Sequence, residues 1–211
     1  MVPPKTMTLM LATGNRGKVA ELSALLALHP GLAGVKLLTP RDWPHTLPDV
    51  DETGDTFAEN ALLKARALAR ATGLPALADD SGLCVDALGG RPGLHSARWI
   101  GPDASDADRN VELLSALALF PDPKDRAARF VCAIAVVSPD GDEAVGRGEC
   151  AGVILTNPRG SGGFGYDPLF LLPDLDRTMA ELRQDEKNVG SHRARAVAAL
   201  ASRLSQLLAA V

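Results

Sequence analysis

Cysteine is scarce and unpaired by spacing: Cys84, Cys132 and Cys150 are the three in the chain, and no C-x-x-C joins them. That pattern excludes a disulfide framework and a thiolate zinc centre. It predicts buried free thiols in a reducing compartment, with Cys132 inside an apolar run. Aromatic residues make up 4% of the chain and Tyr166 is the single tyrosine, so flat stacking surfaces are few. A positive excess is missing too, because 22 Lys and Arg stand against 26 Asp and Glu for a formal charge of -4. Without a long-range basic field, neither nucleic acid nor a membrane surface is an expected partner, and any phosphate must be captured locally.

No apolar run approaches the length of a membrane span. Lys5 is followed only by the stretch Met7–Ala12 before the polar Thr13, so neither a signal peptide nor an anchor is read, and a cytoplasmic location is expected. Repeats, low-complexity tracts and charge blocks are absent. Residues 1–211 are therefore expected to fold as one domain, with residues 1–6 a loose tail or an extended start.

What is present reads as strands alternating with helices. Thr8 to Ala12 is a short apolar strand, and from Gly17 a helix carries Val19, Leu22, Leu25, Leu26 and Leu28 on one face. Thr56 and Glu59 form a capping box that opens a helix to Thr72, closed by Gly73 and Pro75. Pro75 to Ala78 predicts a buried strand that delivers Asp79 and Asp80 at its end, followed by a Gly-rich connection from Gly82 to Arg98. Ser105 starts a helix with Val111, Leu114, Leu117 and Ala118 inward. Phe130 to Val137 and Val145 to Cys150 predict a hairpin, Val153 to Leu155 an extension of the sheet, and Leu169 to Leu172 another strand. Thr178 with Glu181 repeats the capping pattern, and Ser191 to Leu208 makes a last helix striped by Val197, Leu200, Leu204 and Leu208. The fold class is α/β, with a mixed sheet flanked by helices.

Four segments could carry chemistry. The run Thr13-Gly14-Asn15-Arg16-Gly17-Lys18 fits neither the Walker loop nor the Rossmann fingerprint, since Ala12 and Val19 stand where Gly and a hydroxyl are required. It still joins a strand to a helix N-terminus beside a hydroxyl, an amide and an ammonium, which suits a phosphate chain; a plain turn with a solvated lysine is the other reading. Asp79 and Asp80, neighbours in a strand, point to opposite sides, so one can face a cation while the other orients a water or caps a turn. With Asp51 and Glu52, read at a helix start, they make an oxygen-rich set suited to Mg2+ or Mn2+; simple capping is the alternative. The Gly-rich loop Gly160 to Pro168 offers Phe164 and Tyr166 for stacking a base, or else as core. Lys187 and the Ser191-His192-Arg193 helix start place cations at a positive dipole end, which calls for an anionic or carbonyl partner. Lys64 reads as a phosphate ligand or a solvated lysine, and His29, His45 and His95 are given no metal role.

In chain order, ATGNRGKVAEL, ETGDTFAENALLKA, ADDSGLCVDALGGRPGLHSAR, GGFGYDPLF and AELRQDEKNVGSHR resemble the inosine triphosphate pyrophosphatase family, the XTP/dITP diphosphatases, from about Thr8 to Ala199. Asp51 and Asp55 vary from the family's common choices. The resemblance implies a homodimer of two-lobed subunits, each with a nucleotide cleft between its lobes. It also implies magnesium-dependent hydrolysis of deaminated purine nucleoside triphosphates (ITP, dITP, XTP) to monophosphate and pyrophosphate. By the same resemblance, Thr13 to Lys18 and Lys64 would hold phosphates, and Glu52, Asp80 and Asp79 would serve the metal. Asp80 would be the catalytic acid-base residue and Ser81 a substrate contact. Phe164, Gly165, Tyr166 and Asp167 would embrace the base, with Lys187, His192 and Arg193 lining the nucleotide end. Two rivals stand beside this reading: a Maf-like pyrophosphatase of pyrimidine or modified nucleotides, and a nucleotide-sensing module without turnover.

Overall fold

A computed structural model describes residues 7–209; residues 1–6, read above as a tail or extended start, lie outside them. Among the described residues seven strands occur in the order β2-β1-β3-β4-β5-β6-β7: β1 Thr8–Leu11, β2 Lys36–Leu38, β3 Ala76–Val85, β4 Ala127–Val137, β5 Glu143–Ile154, β6 Phe170–Leu172 and β7 Arg177–Thr178. Among the described residues five α-helices accompany them: α1 Arg16–Ala27, α2 Phe57–Thr72, α3 Asp106–Ala116, α4 Gln184–Gly190 and α5 His192–Ala209. β1 pairs in parallel with β2 and β3, whereas β6 pairs antiparallel with β5 and β7, so the sheet is mixed as expected. Among the described residues, no helix is long and apolar enough to cross a membrane.

The chain divides into two compact units. The first holds the residues up to Asp80, residues 132–148, and those from Arg193 onward. Here strand alternation sorts side chains onto two cores. Leu9, Leu11, Leu77, Ile134 and Val136 pack with Leu22, Leu25 and Leu26 of α1 and Val197, Leu200 and Leu204 of α5. Met10, Ala76, Ala78, Ala135 and Val137 pack instead with Ala61, Ala65, Leu68 and Ala69 of α2. That second layer is built largely from alanine, which lets α2 lie close to the strands. α2 begins at the expected capping box, with Thr56 accepting from the Glu59 N–H and Glu59 accepting from the Thr56 N–H, and stops at Gly73 in the left-handed region.

The second unit comprises residues 81–131 and 149–192. Its core joins Leu83 and Val85 of β3, Leu113 and Leu117 of α3 and its C-cap, Phe130, Ile154, Phe170 and Tyr166. Gly82 is required by close approach: a Cβ there would lie 2.6 Å from the Ser96 Oγ, which itself accepts the Leu83 N–H at 2.9 Å. Buried Arg126 has no carboxylate partner among its hydrogen bonds. It donates to the carbonyls of Leu117 and Phe120 at the end of α3 and of Ile154 and Leu155 at the end of β5, at 2.7–3.0 Å. Carbonyls left over at a helix C-terminus are partners that a guanidinium fork can satisfy several at a time.

Several expectations are corrected. β3 carries both acids, as expected, but does not end at them; it runs ten residues and continues through Ser81 and Gly82, so the expected Gly-rich connection begins only after Val85. Asp51 and Glu52 lie in irregular chain ahead of the helix start at Phe57. The three-residue β2 was not anticipated. Leu28 is exposed just beyond the end of α1; α3 buries Leu113 but exposes Val111, and of the two residues after it Leu117 is buried and Ala118 exposed. The Thr178–Glu181 capping box holds only a short 3-10 turn. The three free cysteines are buried, as read.

Two predictions follow from this packing. Arg126→Leu leaves four carbonyls without their donor and should cost about 3–5 kcal/mol in urea unfolding, with Arg126→Lys recovering a minor part; a loss under about 1 kcal/mol would remove the staple from the account. Burial pushes the Tyr166 phenol up to about 12. Because the folded state holds that proton longer than an unfolded tyrosine near 10, stability should fall as pH rises from about 10 towards 12. A titration at 295 nm should find no phenolate near pH 10 in the folded protein, and a midpoint near 10 there would mean the ring is accessible.

Candidate active site

The two adjacent acids of β3 fall to the two faces that alternation predicts. Asp79 shares its face with Leu77 and meets α1 and α5. The Lys18 Nζ lies 3.1 Å from one oxygen, and the Arg193 Nε donates to the other at 3.2 Å. Arg193 also donates through a terminal nitrogen to Glu21 of α1. Burial alone would raise the Asp79 carboxyl, but the charges of Lys18 and Arg193 outweigh it and hold the group well below the usual carboxylate range.

Asp80 shares its face with Ala76 and Ala78 and meets α2. The Lys64 Nζ lies 3.4 Å from Asp80 and 2.7 Å from Glu52, so one ammonium joins the two carboxylates. Asn60, one turn before Lys64 and fully buried, donates to the other Asp80 oxygen at 3.3 Å and accepts the Gly54 N–H at 2.8 Å, which ties the segment carrying Glu52 to the helix. Burial raises the Asp80 carboxyl above its ordinary value, Lys64 opposes the shift, and Glu52 adds to it. Burial would lower the Lys64 ammonium, yet Asp80 and Glu52 keep it raised and charged. Among the described residues, the first unit thus gathers the carboxylates Glu21, Glu52, Asp79 and Asp80 around the cations Lys18, Lys64 and Arg193.

Ahead of this cluster, Asn15 caps α1 by accepting the Gly17 and Lys18 N–H groups at 2.9 and 3.2 Å, and Thr13 accepts the Asn15 N–H. Thr13, Gly14 and Arg16 complete the turn, and nothing lies within 4 Å of where a Gly14 Cβ would be. Its backbone is open to close approach.

In the second unit, Ser81 continues β3 and is half-buried. Asp167 accepts from the buried Lys187 Nζ at 2.7 Å and from the Phe164 N–H at 3.3 Å. Gly163 has φ +74°, and a Cβ there would press on Asp167 and come within 2.8 Å of the Lys187 Nζ, so only glycine lets the loop close over this pair. Tyr166 is a core residue whose hydroxyl donates to the Ser96 carbonyl at 3.0 Å, the second of the two fates read for it, whereas Phe164 stays half-exposed. His192 stacks on Phe130, ring centroids 4.9 Å apart at 18°. The anionic partners sought for the cations at the start of α5 are, for Arg193, the protein's own Glu21 and Asp79.

Glu21 and Asn60 belong to these groups and were not singled out from the sequence. Glu21 is three residues beyond Lys18 and one before Leu22, inside the apolar stripe of α1, and a buried acid at that phase was the available signal. Asn60 is four residues before Lys64 on the same helical face.

The profile of the Ham1 family matches residues 9–203. A dITP/XTP pyrophosphatase of Symbiobacterium thermophilum is 53% identical over 95% of this chain and 96% of its own length. One from Geobacillus kaustophilus is 52% identical over 91% of each. Among solved structures, a HAM1 protein from Coxiella burnetii is 41% identical with a TM-score of 0.80, covering 98% of this chain and all of that one. With a fold shared at this level and a family profile spanning nearly all the described residues, the chain belongs to the Ham1 family.

Proposed function

We propose that this protein hydrolyses deaminated purine nucleoside triphosphates, ITP, dITP and XTP, to the monophosphate and pyrophosphate, and so clears them from the nucleotide pool. The observation that carries the chemistry is the Glu52–Lys64–Asp80 group, an acid pair held on one cation at a strand face. The names of the relatives carry the substrate class: both quoted above are dITP/XTP pyrophosphatases, which gives the pyrimidine-directed Maf-like alternative and the non-catalytic sensor no support.

The residues fit a magnesium ion. Mg2+ takes oxygen ligands and is commonly held by one or two carboxylates, with substrate phosphates and water completing its shell. Glu52 and Asp80 would supply those carboxylates, which already converge on the one Lys64 ammonium. Asp79, the third acid nominated from the sequence, is engaged on the other face with Lys18 and Arg193. When bound, the ion would neutralise charge on the phosphate oxygens.

In the reaction, Asp80 accepts a proton from the water whose oxygen attacks the α-phosphorus, as the bond from that phosphorus to the departing pyrophosphate breaks. The raised Asp80 carboxyl suits a proton acceptor better than the clamped Asp79. The Lys18 and Lys64 ammoniums balance charge on the phosphates. The open backbone at Gly14, just ahead of the capped start of α1, lets the phosphate chain approach closely, with Thr13, Asn15 and Arg16 around it. Phe164 offers a face to the base and Ser81 a hydroxyl, while Lys187 and His192 present donors that match a 6-keto oxygen. Adenine's amino group would leave such donors unsatisfied, a mismatch of several kcal/mol when buried. A homodimer in the cytoplasm, in keeping with three buried free thiols, belongs to the same proposal.

Ion-exchange analysis of products should find IMP and XMP with pyrophosphate, abolished by a chelator and restored by Mg2+; diphosphate products or preferential turnover of dTTP would overturn the reading. Asp80→Asn should lower kcat by roughly 100-fold or more with the fold intact by circular dichroism, and near-normal kcat would take the proton acceptor away from Asp80.

A further inference from the structure

The loop that would face the base is held from outside by one helix. Asp106, Arg109 and Asn110 stand at positions i, i+3 and i+4 of α3 and so share a face. The Gly165 N–H donates to the Asp106 Oδ2 at 2.7 Å, and the Gly165 carbonyl accepts from the Asn110 Nδ2 at 2.9 Å. Both polar groups of one residue are therefore engaged by side chains of a single helix, and that residue sits at φ +62°, between Phe164 and Tyr166. Arg109 pairs with the other Asp106 oxygen and donates to the Ala97 and Ala104 carbonyls, which fixes the carboxylate that holds the loop.

The orientation of the Asn110 amide is set by this contact. Its Oδ1 is buried with no hydrogen-bond partner among the described residues, a cost that turning the amide over could relieve only by setting two acceptors, Oδ1 and the Gly165 carbonyl, against each other. The donor to Gly165 is kept at the expense of the acceptor.

We infer that Asp106 and Asn110 are positioning residues for base selection: by clamping Gly165 they set where the Phe164 ring and the Asp167–Lys187 pair stand, and hence how well the loop tells a keto base from an amino base. This rests on the reading of residues 164–167 as the base-facing loop. The hydrogen bonds and ion pair of Asp106 and Asn110 described above go to Gly165 and Arg109, so their loss should act on recognition rather than on the chemical step. Displacing a positioned group by about 1 Å can cost up to 100-fold.

The test is Asn110→Asp, nearly the same shape with the donor replaced by an acceptor, beside Asp106→Asn, which still offers an oxygen to the Gly165 N–H. In Asn110→Asp the kcat/KM ratio of ITP to ATP should fall roughly 10-fold or more through KM, with kcat on ITP within about twofold, and amide exchange across residues 162–168 should quicken. Asp106→Asn should keep most of the selectivity. Unchanged selectivity with unchanged exchange in Asn110→Asp would overturn the clamp, as would an equal fall in kcat/KM for ITP and ATP, the mark of a merely structural role. If the unaltered enzyme itself shows no preference for ITP over ATP, the reading of the loop fails instead, and exchange still decides whether the helix holds it.

Discussion

A strand turns its successive side chains to opposite faces, and at Asp79 and Asp80 this separates two carboxylates that would otherwise repel each other. Everything in the first unit is arranged around that separation. On one face the acid is surrounded by Lys18 and Arg193 and held ionised; on the other it is left with one shared ammonium and a carboxyl raised by burial. Identical side chains one residue apart thereby acquire different protonation behaviour. The difference lies in their surroundings: α1 and α5 bring cations to Asp79, while α2 brings an amide and a cation already shared with Glu52.

The same geometry explains the composition of the layers. A buried ionic cluster costs solvation unless each charge has partners, and in the first unit each of the four acids meets at least one of Lys18, Lys64 and Arg193. The alanine layer under α2 brings Asn60 and Lys64 within reach of a strand side chain as short as aspartate. A bulkier residue at Ala61 or Ala65 would push the helix away from the sheet and lengthen both contacts.

Much of this was legible in the sequence because local signals agreed with tertiary ones. The Thr56–Glu59 box, the stop at Gly73, the stripe of the last helix and the opposed directions of the acid pair each follow from short-range geometry. Where reading failed, tertiary neutralisation had overridden propensity. By its pattern the strand should end at Asp79 and Asp80, with Gly82 opening a loop, since strands disfavour Asp and Gly, yet β3 runs on past them because Lys18, Arg193 and Lys64 make the acids tolerable in a core and Ser96 packs over the glycine. Arg126 reads as surface in any window, and only the meeting of two carbonyl-rich element ends makes it interior. The three-residue β2 is fixed by its parallel neighbour β1 rather than by its own pattern. In α3 the buried phase centres on Leu113, and the polar face carrying Asp106 and Asn110 gives no sign in sequence of what it touches.

The cysteines give these cores a further property. Cys132 lies in the first unit, where burial and nearby Asp79 push its thiol up to about 12, and Cys84 and Cys150 lie in the second, the former also raised by burial. Oxidants and alkylating agents act on thiolates that they can reach, and the folded chain offers almost none. Chemical damage at these sulfurs must then pass through local opening, so its rate measures the opening of each unit separately, and the conformational stability of the protein doubles as its resistance to oxidation.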